Sequence, residues 1–271
     1  MDNRQIGIFD SGVGGLTVTA AIAKLLPQER LVYLGDTARL PYGTKSAETV
    51  SRYAVQATRA LMRFDVKLIV VACNTASAVA LPVLTAALAP VPIIGVVEPG
   101  ARAAVDATHS GRIAVIATEG TVRGGAYVRA IHALMPEAHV EQKACPLFVA
   151  LAEEGWTEGD VPESAARRYL GQMFAQDEAP DTLVLGCTHF PLIAGVVRRH
   201  LPPSTRLLSQ PGIVAGGRQP GETHQERGAR LAGKCARGRD LIDWTAGCDA
   251  FWPVSDGRNL ISRATRRDCY V

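Results

Sequence analysis

Two cysteines carry the most chemistry that can be read from the residues. Cys73 ends the run Leu68-Ile69-Val70-Val71-Ala72 and is followed by Asn74-Thr75; Cys187 ends Leu183-Val184-Leu185-Gly186 and is followed by Thr188-His189, 114 positions later. Each is a thiol just past an apolar β-branched run, with polar residues after it. In parallel α/β sheets the ligand crevice lies outside the carboxyl ends of the strands, so both thiols are placed to face a substrate. Two thiols on opposite sides of one cleft suit a reaction with a base on one face of a carbon and an acid on the other, of which inversion at a Cα is an example. A single buried cysteine more often serves as a small hydrophobe; two in matching contexts favour the chemical reading.

A thiol titrates near 8.5 and needs help to act as a base at neutral pH. Asp10 follows the run Ile6-Gly7-Ile8-Phe9, and the turn Ser11-Gly12-Val13-Gly14-Gly15 brings backbone N–H groups toward an anion. His189 supplies an imidazole two residues after Cys187. Pro41-Tyr42-Gly43 offers a phenol and backbone amides, Asn74, Thr75 and Thr188 offer donors at helix starts, and Thr118 and Thr121 offer the same in the second half. Glu153 lies in an Ala-rich helical stretch ending at Gly155, where a solvated helix face competes with a functional reading. Cys145 precedes Pro146 and has no counterpart in the repeat.

Positioning these residues takes alternating strands and helices. Strands are expected at 6–9, 31–34, 68–72, 93–97, 112–117, 139–143 and 182–185, and helices at 15–26, 46–64, 76–87, 125–134 and 162–174. The echo of 6–11 in 113–118, with that of 68–75 in 183–189, predicts an α/β fold of two pseudo-symmetric lobes. Each lobe is a mainly parallel sheet flanked by helices, with the active site in the cleft between them. Lobe one is assigned to 1–97 plus the segment from about 208 to 271, and lobe two to 98–207.

The 271 residues are 47% hydrophobic, 20% charged and 6% aromatic, as in ordinary globular enzymes. A net charge of +3 is too small for a nucleic-acid or membrane footprint. Residues 1–209 hold 19 basic and 19 acidic side chains, so the excess falls in 210–271, with 10 against 7. There is no apolar run long enough to span a bilayer and no secretory leader, so a cytoplasmic protein is expected. The six cysteines form no Cys-x-x-Cys pair and the six histidines no His-x-x-x-His pair, so no metal is expected. None of the strand ends offers a Schiff-base lysine, which argues against pyridoxal phosphate.

The blocks 10–17 (Asp-Ser-Gly-Val-Gly-Gly-Leu-Thr), 35–43 (Gly-Asp-Thr-Ala-Arg-Leu-Pro-Tyr-Gly), 72–77 (Ala-Cys-Asn-Thr-Ala-Ser), 144–149 with 153–155, and 185–192 (Leu-Gly-Cys-Thr-His-Phe-Pro-Leu) resemble the signature blocks of the glutamate racemases, within the aspartate/glutamate racemase superfamily. The resemblance spans about residues 5–209. It implies racemisation of glutamate without a cofactor, by proton transfer between two cysteines, to supply D-glutamate for peptidoglycan. Cys73 would deprotonate D-glutamate and Cys187 L-glutamate. Asp10 would serve the Cys73 side, with Glu153 and His189 on the Cys187 side; Glu154, adjacent, competes with Glu153. Ser11, Tyr42, Gly43, Asn74, Thr75, Thr118, Thr121 and Thr188 would hold the ammonium and carboxylates, in a bacterial cytoplasmic homodimer. A racemase of another amino acid such as aspartate, and a single-thiol hydrolase or decarboxylase on the same scaffold, are the alternatives.

From Gly216 the residues leave the pattern, with scattered Arg, Gly, Trp and Cys and no sustained apolar period. A shifted reading frame or the divergence of a peripheral tail would each give such a segment, and disorder is expected for it under either origin.

Overall fold

The computed structural model of the chain describes residues 2–209 and the backbone of 269–270. The expected change of character beyond Gly216 lies outside these residues. The first half builds β1 (Gln5–Asp10), α1 (Leu16–Leu25), β2 (Leu31–Gly35), α2 (Ala47–Leu61), β3 (Val66–Val71), α3 (Asn74–Val79), α4 (Leu81–Leu88) and β4 (Ile93–Gly95). The second builds α5 (Val97–Ala107), β5 (Arg112–Ala117), α6 (Glu119–Gly124), α7 (Ala126–Leu134), β6 (His139–Ala144), α8 (Pro146–Glu153), α9 (Asp160–Phe174), β7 (Thr182–Gly186), α10 (Ala194–Arg199) and β8 (Arg206–Leu208). A two-residue strand, β9 (Cys269–Tyr270), runs parallel to β2.

The strands form two parallel sheets, ordered β4-β3-β1-β2-β9 and β6-β5-β7-β8. Numbered within each half, both run 2-1-3-4, so the internal repeat is a repeat of topology: β1 corresponds to β5 and β3 to β7. The central strands β1, β5 and β7 are buried almost throughout. That is why they read as unbroken apolar runs rather than alternating ones, as strands covered on both faces do. Ile8, Phe9, Ile69, Ile113 and Ile116 are fully buried, each contributing on the order of 2 kcal/mol by leaving water.

The helices are amphipathic cover for these sheets. Ser46 caps α2, its hydroxyl accepting from the Thr49 N–H at 3.2 Å, and one face of α2 buries Val50, Ala54, Ala57 and Leu61. The single helix expected over 76–87 is two, broken at Ala80, with Pro82 in the first turn of the second, where its missing N–H costs nothing. The strand expected to reach Val97 stops at Gly95, and Val97 opens α5. Among the described residues, no helix is long and apolar enough to cross a membrane.

Candidate active site

In a 2-1-3-4 sheet the strand order reverses between the first and third strands, and the crevice opens at their carboxyl ends. In the first sheet those ends deliver Asp10-Ser11 from β1 and Cys73-Asn74-Thr75 from β3; in the second they deliver Thr118 from β5 and Cys187-Thr188-His189 from β7. Topology alone therefore puts the two cysteines at equivalent switch points.

Cys73 is the N-cap of α3. Its sulfur accepts from the Ala76 N–H at 3.4 Å and lies 3.5 Å from Ser11 Oγ. Burial pushes the thiol up to about 12, and the Asp10 carboxylate and Cys187 push the same way against those two bonds. Asp10 is fully buried and accepts from the Gly12 N–H at 3.0 Å and from Thr188 Oγ1 at 3.5 Å. Desolvation raises its carboxyl, while His189 and the N–H groups of Gly12, Gly15 and Ser11 draw it back.

Cys187 Sγ sits 3.6 Å from His189 Nδ1, and His189 Nε2 bonds the Glu153 carboxylate at the end of α8. Burial works to lower the imidazole, but the bonds to Cys187 and Glu153 outweigh it and hold it at about 11. The His189 bond keeps Glu153 below the usual carboxylate range. The ring is thus held between the carboxylate at Nε2 and the sulfur at Nδ1, in surroundings that favour its protonated form. Glu153, not Glu154, makes this contact.

The remaining expected residues gather where the lobes meet. The hydroxyls of Thr75, Thr118 and Thr121 form a ring across the cleft at 2.9 to 3.2 Å. Gly43 comes so close to Thr118 that a Cβ on it would lie 2.5 Å from the threonine Cβ, and a Cβ on Gly14 would lie 2.7 Å from Thr188 Oγ1. Tyr42 is buried against Phe9 and Tyr53, its hydroxyl bonded to Asp36, and burial first, then that bond, raises its phenol. Cys73, Cys187, Asp10, Ser11 and His189 each expose less than 8% of their surface, so the cleft is shut.

Two residues that residue-level reasoning passed over belong to this region. Asp36 follows β2 and joins Tyr42 to Arg39, whose Nε donates to its carboxylate at 2.9 Å. The strand-end rule that singles out Asp10 applies equally to it. Tyr127 on α7 donates its hydroxyl to Asn74 Oδ1 at 2.8 Å; as an aromatic on a helix face it carries no signal of that bond. Cys145 occupies the position after β6 that Asp36 occupies after β2: the Cys145 N–H donates to Ala117 O as that of Asp36 does to Asp10 O. Burial pushes its thiol up to about 12. Among the described residues, no group of three His, Cys, Asp or Glu could hold a metal ion.

The family model described as Asp/Glu/Hydantoin racemase matches residues 6–212. A glutamate racemase of Geobacter metallireducens is 49% identical over 239 residues, covering 88% of this chain and 82% of that one. Among solved structures, an isoform of glutamate racemase from Bacillus anthracis superposes with a TM-score of 0.76 at 34% identity, over 90% of this chain and 86% of that one. The glutamate racemase of Francisella tularensis in complex with D-glutamate does so with a TM-score of 0.76 at 33% identity, over 92% and 86%. The chain belongs to the Asp/Glu/Hydantoin racemase family.

Proposed function

We propose that this member of the family is a glutamate racemase that inverts Cα by proton transfer between Cys187 and Cys73. The observation that carries the reading is the pair of buried thiols at topologically equivalent strand ends, each beside its own acid–base partner. Glutamate as substrate is supported by the identity to the Geobacter and Bacillus racemases and by the D-glutamate complex of the Francisella relative.

In the L to D direction Cys187, as thiolate, takes the Cα proton, with the His189 imidazolium beside the sulfur and Glu153 holding the ring. The electron pair left on Cα is a carbanion, and the Cys73 S–H delivers its proton to the opposite face. The product is D-glutamate, with Cys187 now the thiol and Cys73 the thiolate; D to L retraces the path. Cys73, protonated while the cleft is shut, and Cys187 beside an imidazolium are set for the L enantiomer. Asp10 and Ser11 serve the Cys73 side and the ammonium. Tyr42, Gly43, Asn74, Thr75, Thr118, Thr121 and Thr188 hold the carboxylates and the wall of the site. The enzyme works without a cofactor, as a cytoplasmic homodimer, and supplies D-glutamate for peptidoglycan.

Incubation of the purified chain with L-glutamate in deuterated water tests the substrate and the chemistry together. D-glutamate carrying deuterium at Cα is expected, with no exchange at Cα of L-aspartate. Exchange with aspartate alone would overturn the substrate, and turnover that survives loss of either cysteine would favour a single-thiol hydrolase. Growth of a D-glutamate auxotroph carrying the gene tests the cellular role.

A further inference from the structure

Tyr127 is fully buried at the first turn of α7, 54 residues after Cys73 and 60 before Cys187 in the chain. Its hydroxyl reaches Asn74, the residue after Cys73, at 2.8 Å. Its ring lies against Gly186, the residue before Cys187, and against Gly100 of α5. A Cβ at Gly186 would come 3.2 Å from the ring Cε2, and one at Gly100 would come 2.9 Å from Cε1 and from the hydroxyl. One side chain therefore touches the neighbours of both thiols, and its position is set by backbone on two sides.

We propose that Tyr127 is a positioning residue for racemisation: its hydroxyl holds the Asn74 amide in one orientation, and its ring fixes the Cys187 strand end relative to the Cys73 strand end. The proposal rests on reading the cleft as a two-cysteine glutamate racemase with Asn74 among its carboxylate-binding groups. An amide can present either an acceptor or a donor, and the two faces differ little in shape. With Oδ1 receiving the Tyr127 proton, the amide is turned so that Nδ2 is its donor end toward an anionic substrate group. An inverted amide would aim oxygen lone pairs at a carboxylate.

Removing the hydroxyl keeps the ring and releases the amide. A neutral hydrogen bond contributes about 1 kcal/mol net, which corresponds to about 5-fold. Tyr127→Phe is therefore expected to raise KM for glutamate about 5- to 10-fold with kcat within about 2-fold. In an Asn74→Ala background the same substitution should add nothing, because the amide it orients is gone. Gly100→Ala, whose methyl would press on both the ring edge and the hydroxyl and so displace the hydroxyl from Asn74, should raise KM in the same selective way.

These kinetics, read beside thermal melts of each variant, separate positioning from bulk stability. If Asn74→Ala raises KM while Tyr127→Phe and Gly100→Ala leave it unchanged, the proposal is overturned. It is equally overturned if Tyr127→Phe lowers kcat and melting temperature together, or if its KM effect persists undiminished without Asn74. Should Tyr127→Phe not fold, the Gly100→Ala result decides on the same terms. A wild-type chain that racemises no glutamate overturns the underlying reading, and the proposal with it, and differs visibly from an active wild type with indifferent variants.

Discussion

The two sulfurs are not equivalent in their surroundings. Cys73 meets an N–H, a hydroxyl and a nearby carboxylate, and burial favours its thiol form; Cys187 meets the His189 ring, which Glu153 anchors. Thermodynamics limits how that asymmetry can be expressed. D- and L-glutamate have equal free energy in achiral solvent, so kcat/KM must be the same in both directions for every variant. His189→Gln should lower kcat/KM by roughly 10²- to 10⁴-fold, the range for a lost acid–base partner, and equally from either enantiomer. The fall in kcat is free of that constraint and should be larger from L-glutamate, whose proton Cys187 removes in the proposed mechanism. Initial rates from each pure enantiomer check this, and equal kcat losses would remove the assignment of His189 to one side. Both cysteines, Asp10 and His189 are legible in the sequence because a residue just past an apolar run has its place dictated by the sheet. Tyr127 is not, because its partner lies 53 residues away and its ring looks like ordinary core.

At the scale of elements, the legible parts are those with a strong local pattern. β5 and the body of α2 fall where their apolar spacing puts them. α5 contains Pro99 and Gly100, which punctuate a sequence but are tolerated in a first turn, and β8 has three residues, too few for any period to show. What fixes the junction of α5, β5 and β7 is one carboxylate. Asp181 accepts from Thr108 Oγ1 at 2.6 Å and from the N–H groups of His109 and Ser110 at 2.7 Å each, and Thr182 Oγ1 donates to it at 3.0 Å. Partial burial opposes its charge, but these donors win and hold it at about 2. A carboxyl lowered on folding stabilises the native state above its unfolded value near 3.8, and that contribution is lost as pH falls through about 2. Asp181→Ala should cost about 1–2 kcal/mol at pH 7, reduced from the full charge-assisted range by its solvent contact. The gap to wild type should close between pH 4 and 2, as followed by urea unfolding; a gap that is independent of pH would assign the loss to packing instead. The lobes' approach at Gly43 is a tighter constraint. Gly43→Ala sets a methyl 2.5 Å from the Thr118 Cβ, so the cleft cannot close fully, and KM should rise at least about 10-fold, from about 1.4 kcal/mol of lost closure.

Taken as a whole molecule, the structure is a cleft shut on its own chemistry. With Asp10, Cys73, Cys187 and His189 almost without exposed surface, glutamate reaches the thiols only when the sheets part. The polar contacts that must then break include the threonine hydroxyl ring, the Thr188 bond to Asp10, the Tyr127 bond to Asn74 and the Arg123 bond to the Lys45 carbonyl. Net hydrogen bonds of about 1 kcal/mol each make such opening accessible at equilibrium. A ligand that bridges the two halves replaces those contacts and ties the lobes together, so its binding energy appears as stability of the whole fold. At 100 times its dissociation constant, glutamate should add about 2.7 kcal/mol, or roughly 5–10 °C in melting temperature for a chain of this size. The shift should be the same from either enantiomer, because the enzyme equilibrates them during the scan, and it should be much smaller with aspartate, whose shorter side chain brings its second carboxylate less far across the cleft. In Cys73→Ala, where equilibration stops, the two enantiomers are presented separately for the first time and their shifts should diverge. Identical shifts from L- and D-glutamate in that variant would mean that the closed cleft does not distinguish the faces of Cα, contrary to a site with one thiol assigned to each.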